Sequence, residues 1–214
     1  MSRSFSLGGI IASIVLIAFG IGAITLGIVG GNDVRHQVKQ EKIVGSPDMT
    51  PAAIKAEAAK AGLKNVDLPT CDVAGKAITD GSSARCFAAY MRIHALEATG
   101  GRTYAQMGRF LDQAGKETND ESAAAKDPKT GQPVENGARN LWVTETSLST
   151  ALNTSYFAER VSLFSIVMGI ALLLTGIGFL VLTLGVLRRF TGAATGTGYA
   201  GGNGVAERRP AATV

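Results

Sequence analysis

Few side chains in this chain are suited to catalysis or ligation. The histidines are His36 and His94, and His94 opens the stretch HALEATGGRTYAQMGR, which ends at Arg109. That stretch offers an imidazole, a glutamate three residues on, and a tyrosine between two arginines. Two histidines with an acid such as Glu97 would suit a mononuclear iron centre of the two-histidine, one-carboxylate kind. No spacing relates His36 to His94, so His94 reads instead as a helix residue pairing with Glu97. The chain holds no phosphate-binding glycine loop, no G-x-S-x-G elbow and no H-E-x-x-H helix. The residues therefore assign no catalytic, cofactor-binding or metal role, and no cofactor is expected. Cys71 and Cys86 are the only cysteines. In an oxidising compartment they are expected to form one disulfide, the alternative being two buried thiols. Without a Cys or His partner at ligand spacing they do not suggest zinc.

The elements that carry these residues are helical. Asp48 and Thr50 precede Pro51, and AAIKAEAAKA then runs to Gly62: a cap, a proline at the first helical position and a glycine stop. A second helix is expected to begin after Ser82 and Ser83 and to continue to Thr99, with Phe87, Tyr90, Met91 and Leu96 recurring at helical spacing. Gly100 and Gly101 end it. Thr103 stands three residues before Gln106, the capping-box arrangement, so a third helix is expected over Tyr104 to Ala114, burying Met107, Phe110 and Leu111. On this reading the quoted stretch is a joint. Residues around 115–138, rich in charge, Gly and Pro, read as a mobile loop. From about Asn140 the chain turns helical again, with Trp142, Tyr156 and Phe157 marking the approach to a long apolar run.

Two such runs dominate the chain. Leu7 to Val29 and Val161 to Leu187 are uncharged stretches of 23 and 27 residues. About 20 helical residues cross a hydrocarbon core of about 30 Å, so each run is long enough to span it. The first run exceeds the usual core of a cleaved signal peptide, which favours an uncleaved anchor. The fold class expected is mainly α: a two-helix transmembrane hairpin with a small helical extracytoplasmic domain. Its parts are a cytoplasmic N-terminus (1–6), a first span (7–29), the domain (30–160), a second span (161–187) and a disordered cytoplasmic tail (188–214). Charge sets the orientation. Between Gly31 and Arg160, sixteen cations balance sixteen anions, so the net charge of +4 lies in the tails, at Arg3, Arg188, Arg189, Arg208 and Arg209 against Glu207. Positive-inside bias places both termini in the cytoplasm of a plasma-membrane protein. The partner expected is the bilayer, not nucleic acid.

Small residues mark the contact face. Ser6, Ser13, Gly20 and Gly27 recur every seven residues in the first span, and Ser162, Gly169, Gly176 and Thr183 do so in the second. Lipid gives apolar side chains no reason to associate, so rows of small residues that let backbones approach define a packing seam. The antiparallel pairing expected is Gly20 with Gly176, Gly27 with Gly169 and Ser13 with Thr183, leaving Leu16 and Leu174 off the seam. A second small row, Ala171, Gly178 and Gly185, lies on nearly the opposite side and suggests a homo-oligomer or a separate membrane-protein partner. Neither span holds an ionisable residue, which argues against an ion-coupled transporter.

The run HALEATGGRTYAQMGR and the later TALNTSYFAERVSLFSIVMGIALLLTGIGFLVLTLGVLRR resemble a family of small actinobacterial two-span membrane proteins of unknown function. The resemblance covers both spans and residues 90 to 108. Members of that family often carry the label of an aromatic ring-opening dioxygenase small subunit, so the resemblance implies an enzyme or enzyme accessory of that type as one function. The residues themselves favour a non-enzymatic envelope protein that presents its domain to partners. A ligand-sensing membrane subunit is the third reading.

Overall fold

The computed structural model describes residues 2–194, with side chains from 7 to 185. The expected tail lies mostly outside the described residues, as do the side chains of Ser6 and of the expected N-terminal segment. Four helices dominate: α1 (Ser2–Gln40), α2 (Pro51–Lys60), α3 (Gly81–Ala98) and α4 (Gly137–Ala194). Two helices, over Leu7–Gln40 and Gly137–Gly185, each contain an apolar window long enough to cross a membrane. α1 continues eleven residues beyond the expected span, and α4 runs without a break from the polar segment into the second apolar run. The chain divides into two compact units, Met1–Ile21 with Gly169–Val214, and Gly22–Met168.

The core lies in the second unit. Ile54, Ile78 and Tyr90 are its fully buried large side chains, surrounded by Val38, Met49, Val73, Ile93, Met107, Trp142 and Leu152. Burying an aliphatic or aromatic side chain of this size stabilises by about 1.5–3 kcal/mol. α2 starts where Thr50 accepts a bond from the Ala53 amide, with Pro51 at the first helical position, and Gly62 follows its end at φ +68°. α3 starts one residue after Asp80, at Gly81, three residues earlier than expected. Asp80 and Ser83 form the capping box that fixes this start. The Cys71–Cys86 disulfide then ties the preceding loop to α3, and Tyr90 donates a bond of 2.6 Å to the Cys71 carbonyl.

The third helix expected from Thr103 is not present. The Thr103–Gln106 capping box forms, with Gln106 Oε1 accepting from the Thr103 amide at 2.8 Å, but it supports only a single 3-10 turn, Tyr104–Gln106. The chain then extends into β1 (Phe110–Leu111), which pairs antiparallel with β2 (Glu117–Thr118). Gly108 dictates this change, since a Cβ there would stand 2.9 Å from both the Glu117 Cβ and the Thr118 amide nitrogen. Residues 115–138, expected to be a mobile loop, are held by backbone bonds instead. Leu111 donates to Val134, Val134 to Ala125, and Ala125 back to Leu111. Asp112, Asp120 and Asp127 each accept bonds from amides two to four residues ahead, the turn-making habit of aspartate. Asn136 closes the segment. It caps α4 through the Ala138 amide and donates to the Gly108 carbonyl and to Glu117.

Candidate functional site

The strongest cluster of chemistry-bearing side chains joins three separate stretches. Asp48 sits in the turn before α2, where Met49 accepts a backbone bond from Val73 and Gly45 packs on the Val73 backbone. Glu57 stands on α2, flanked by Ile54 and Ala58, which face the core. His94 stands on α3 beside the buried Ile93 and Ala95. The packing of α2 and its leading turn on α3 therefore brings the three together. His94 Nε2 lies 3.3 Å from Asp48 Oδ2 and 3.5 Å from Glu57 Oε2. One donor atom from each residue falls within 4.8 Å of the other two. His94 Nε2 and Asp48 Oδ1 are both shielded from solvent, and neither has a hydrogen-bond partner among the described residues. The Ser46 hydroxyl beside Asp48 holds its carboxyl below the usual range, with partial burial opposing and the His94 imidazole reinforcing the effect.

This differs from the expected pairing of His94 with Glu97. Glu97 is exposed, while the side chain of His94 turns to α2. His36 is engaged elsewhere, 3.0 Å from the Gln40 amide nitrogen one turn along α1. The set that assembles is one histidine with two carboxylates, not the two-histidine set that an iron centre of the facial kind would need. Nothing local in the sequence announces it, because the residues lie 9 and 37 positions apart. One weak signal is present: Glu57 is an acid beside the buried stripe of a short helix.

A second polar cluster joins α1, α3 and α4 in the same unit. Glu159 accepts from Arg35 at 2.8 Å and from the Gly81 amide, at the N-terminus of α3, at 3.0 Å. Arg160 donates to Ser82 at 2.9 Å, and Arg85 and Arg160 stack on Tyr156, 4.6 and 4.8 Å from its ring centre. An open groove of about 370 Å³ runs between Arg35, Asp80, Ser82, Glu159, Arg160 and Ser162. Gly81 is needed at this joint, since a Cβ would stand 2.6 Å from the Tyr156 Cα. Higher on α4, the buried Glu145 accepts from Ser149 at 2.7 Å, and Arg92 lies over the ring of Trp142. Trp142 is thus a core residue, whereas Phe157 is exposed.

The small rows of the two apolar helices face each other in each unit. Ser13, Gly20, Gly27, Gly169 and Gly176 are buried and Thr183 is half-buried, while Ala171, Gly178 and Gly185 are exposed. The register is displaced by about one helical turn from the expected pairing. Gly20 lies over Gly169 and Leu173 rather than Gly176, Gly176 over Ser13 and Ile17, Gly27 over Ser162 and Ile166, and Thr183 against Gly9. The reason is interdigitation. A glycine offers a groove, and it receives the gap between residues i and i+4 of the facing helix rather than a second glycine. Of the residues expected off the seam, Leu174 is 64% exposed and Leu16 is half-buried. The hydroxyls in the seam satisfy themselves, Ser13 donating to the Gly9 carbonyl and Thr183 to that of Phe179, each at 2.7 Å.

The Cys71–Cys86 bridge is the one site named from sequence whose two members are joined by a bond. Comparison with protein families, with curated proteins and with solved structures finds no match to this chain.

Proposed function

We propose that this is a non-enzymatic membrane protein of the cell envelope. Two antiparallel spans hold a disulfide-closed helical domain on the extracytoplasmic side, where it acts through protein partners. The observation that carries this reading is the inverted packing of α1 and α4. Their small residues are buried against each other, while Phe19 (70% exposed), Leu26 (74%), Phe164 and Leu182 point outward with nothing covering them. In water such a surface would be an aggregation liability; in lipid it is solvated, and close backbone approach is what binds the helices. The disulfide favours an oxidising compartment for residues 31–160. The polar groups of the domain are largely committed to structure, Glu159 to the α3 terminus and Glu117 to Arg102, Gly108 and Asn136, which favours a presented surface over a catalytic one.

Membrane fractionation tests the reading. The protein is expected to remain with membranes through high salt and alkaline carbonate and to leave them only in detergent. Recovery in the carbonate-soluble fraction would contradict it.

A further inference from the structure

We propose that Asp48, Glu57 and His94 form a zinc site with an open coordination position. The two distances from His94 to the carboxylates point to an ion rather than a salt bridge. A charge-assisted hydrogen bond between an imidazolium and a carboxylate closes to about 2.7–2.9 Å. His94 Nε2 instead stands 3.3 Å from one carboxylate and 3.5 Å from the other, and bonds to neither. A tetrahedral zinc ion with ligands at about 2.0–2.2 Å separates its donors by about 3.3–3.6 Å, which matches both spacings. Octahedral magnesium, with ligands at about 2.0–2.1 Å, would draw neighbouring donors to about 2.8–3.0 Å. Calcium takes oxygen ligands and would leave the imidazole unused.

Charge and surroundings agree. Two carboxylates and a neutral imidazole bring two negative charges to a divalent ion, and ligation satisfies the shielded Nε2 of His94. The three side chains are 30–40% exposed, so a fourth position faces solvent and is free for water or a donor from a partner protein. The ion clips α2 and its leading turn to α3, next to the loop that the disulfide closes.

The test uses tag-free, full-length protein in detergent micelles, stripped with a chelator and titrated with zinc, then with cobalt(II) as a spectroscopic probe. The expected result is one saturable zinc per chain, a rise in melting temperature on binding, and the intense visible absorption of tetrahedral cobalt. Glu57→Gln and His94→Gln should each weaken binding by about 100-fold or more, while His36→Gln should leave it unchanged. The absence of saturable binding to the unaltered chain, or equal binding by Glu57→Gln and His94→Gln, would overturn the proposal. If those variants fail to fold, the cobalt spectrum of the unaltered protein decides: a pale octahedral spectrum or none refutes the site.

Discussion

Gly20→Ala adds one methyl group, and its effect can be worked out from the packing around it. The new Cβ would stand 2.7 Å from the Leu173 amide nitrogen, 2.8 Å from the Gly169 carbonyl oxygen and 3.0 Å from the Leu173 Cα. All three are backbone atoms, so no rotamer change relieves the clash. Restoring ordinary contact near 3.5 Å requires the helices to part by about 0.7 Å, a gap that forfeits a quarter to a half of each dispersion contact it opens. Overpacking of this kind costs about 1–3 kcal/mol. Gly22 is the internal control. Two residues away on the same helix, its Cβ would meet nothing within 4 Å, so Gly22→Ala exchanges glycine for a better helix former and gains up to about 1 kcal/mol. The assay is a thiol–disulfide equilibrium. A Cβ built at Gly9 lies 3.5 Å from the Thr183 Cβ, within the range a disulfide needs, so Gly9→Cys with Thr183→Cys reports closure of the seam. In membranes equilibrated with a glutathione buffer, Gly20→Ala should lower the effective concentration of that pair by about 5- to 150-fold. Gly22→Ala should not lower it. Equal effects of the two substitutions would show that glycine at 20 is not there for close approach.

Other perturbations separate the parts of the fold. Cys71→Ser opens a loop of sequence separation 15 and should lower the unfolding free energy of the domain by about 3 kcal/mol, read from the denaturant midpoint. No change in midpoint would mean that the loop is held without the bridge. Asp80→Ala removes the cap of α3 and should cost about 1 kcal/mol, whereas Asp80→Asn keeps a cap. The Ser83 amide is the main cause of a depressed Asp80 carboxyl pKa, so that contribution is present above the ordinary carboxylate pKa and lost as pH falls through the lower folded value. Asp80→Asn should flatten the acid limb of the stability curve there, and an unaltered acid limb would contradict this. Glu117 gathers Arg102, the Gly108 amide and Asn136, and Glu117→Gln should speed hydrogen exchange at the Gly108 amide. Unchanged protection would show that the strand pair holds that segment unaided.

Local chemistry is legible where it is decided locally. Thr50 with Pro51 places the start of α2, and the glycine pair at 100–101 places the end of α3, because a cap and a stop act within one turn. The box at Thr103 and Gln106 misleads for the same reason. It closes a turn but cannot extend a helix into residues that β2 requires as strand, and Gly108 approaches that strand too closely for any side chain. The segment 115–138 looks loose by composition, yet its aspartates are turn formers and Ala124 is buried beneath them. The seam is legible as a period of seven, which is a property of one helix at a time. Its register is not, because that depends on which gap of the facing helix receives each glycine. The cluster of Asp48, Glu57 and His94 is hidden altogether, since only the packing of α2 on α3 brings it together.

Residues 31–160 are proposed to form an extracytoplasmic domain on two spans whose ends lie in the cytoplasm, and cysteine labelling in intact cells tests this central claim most directly. Ser122 is exposed in the described structure, so Ser122→Cys should react with a membrane-impermeant maleimide. Thr195→Cys should stay unlabelled until the cells are permeabilised. Labelling of Thr195→Cys in intact cells, with Ser122→Cys protected, would invert the topology and contradict the claim.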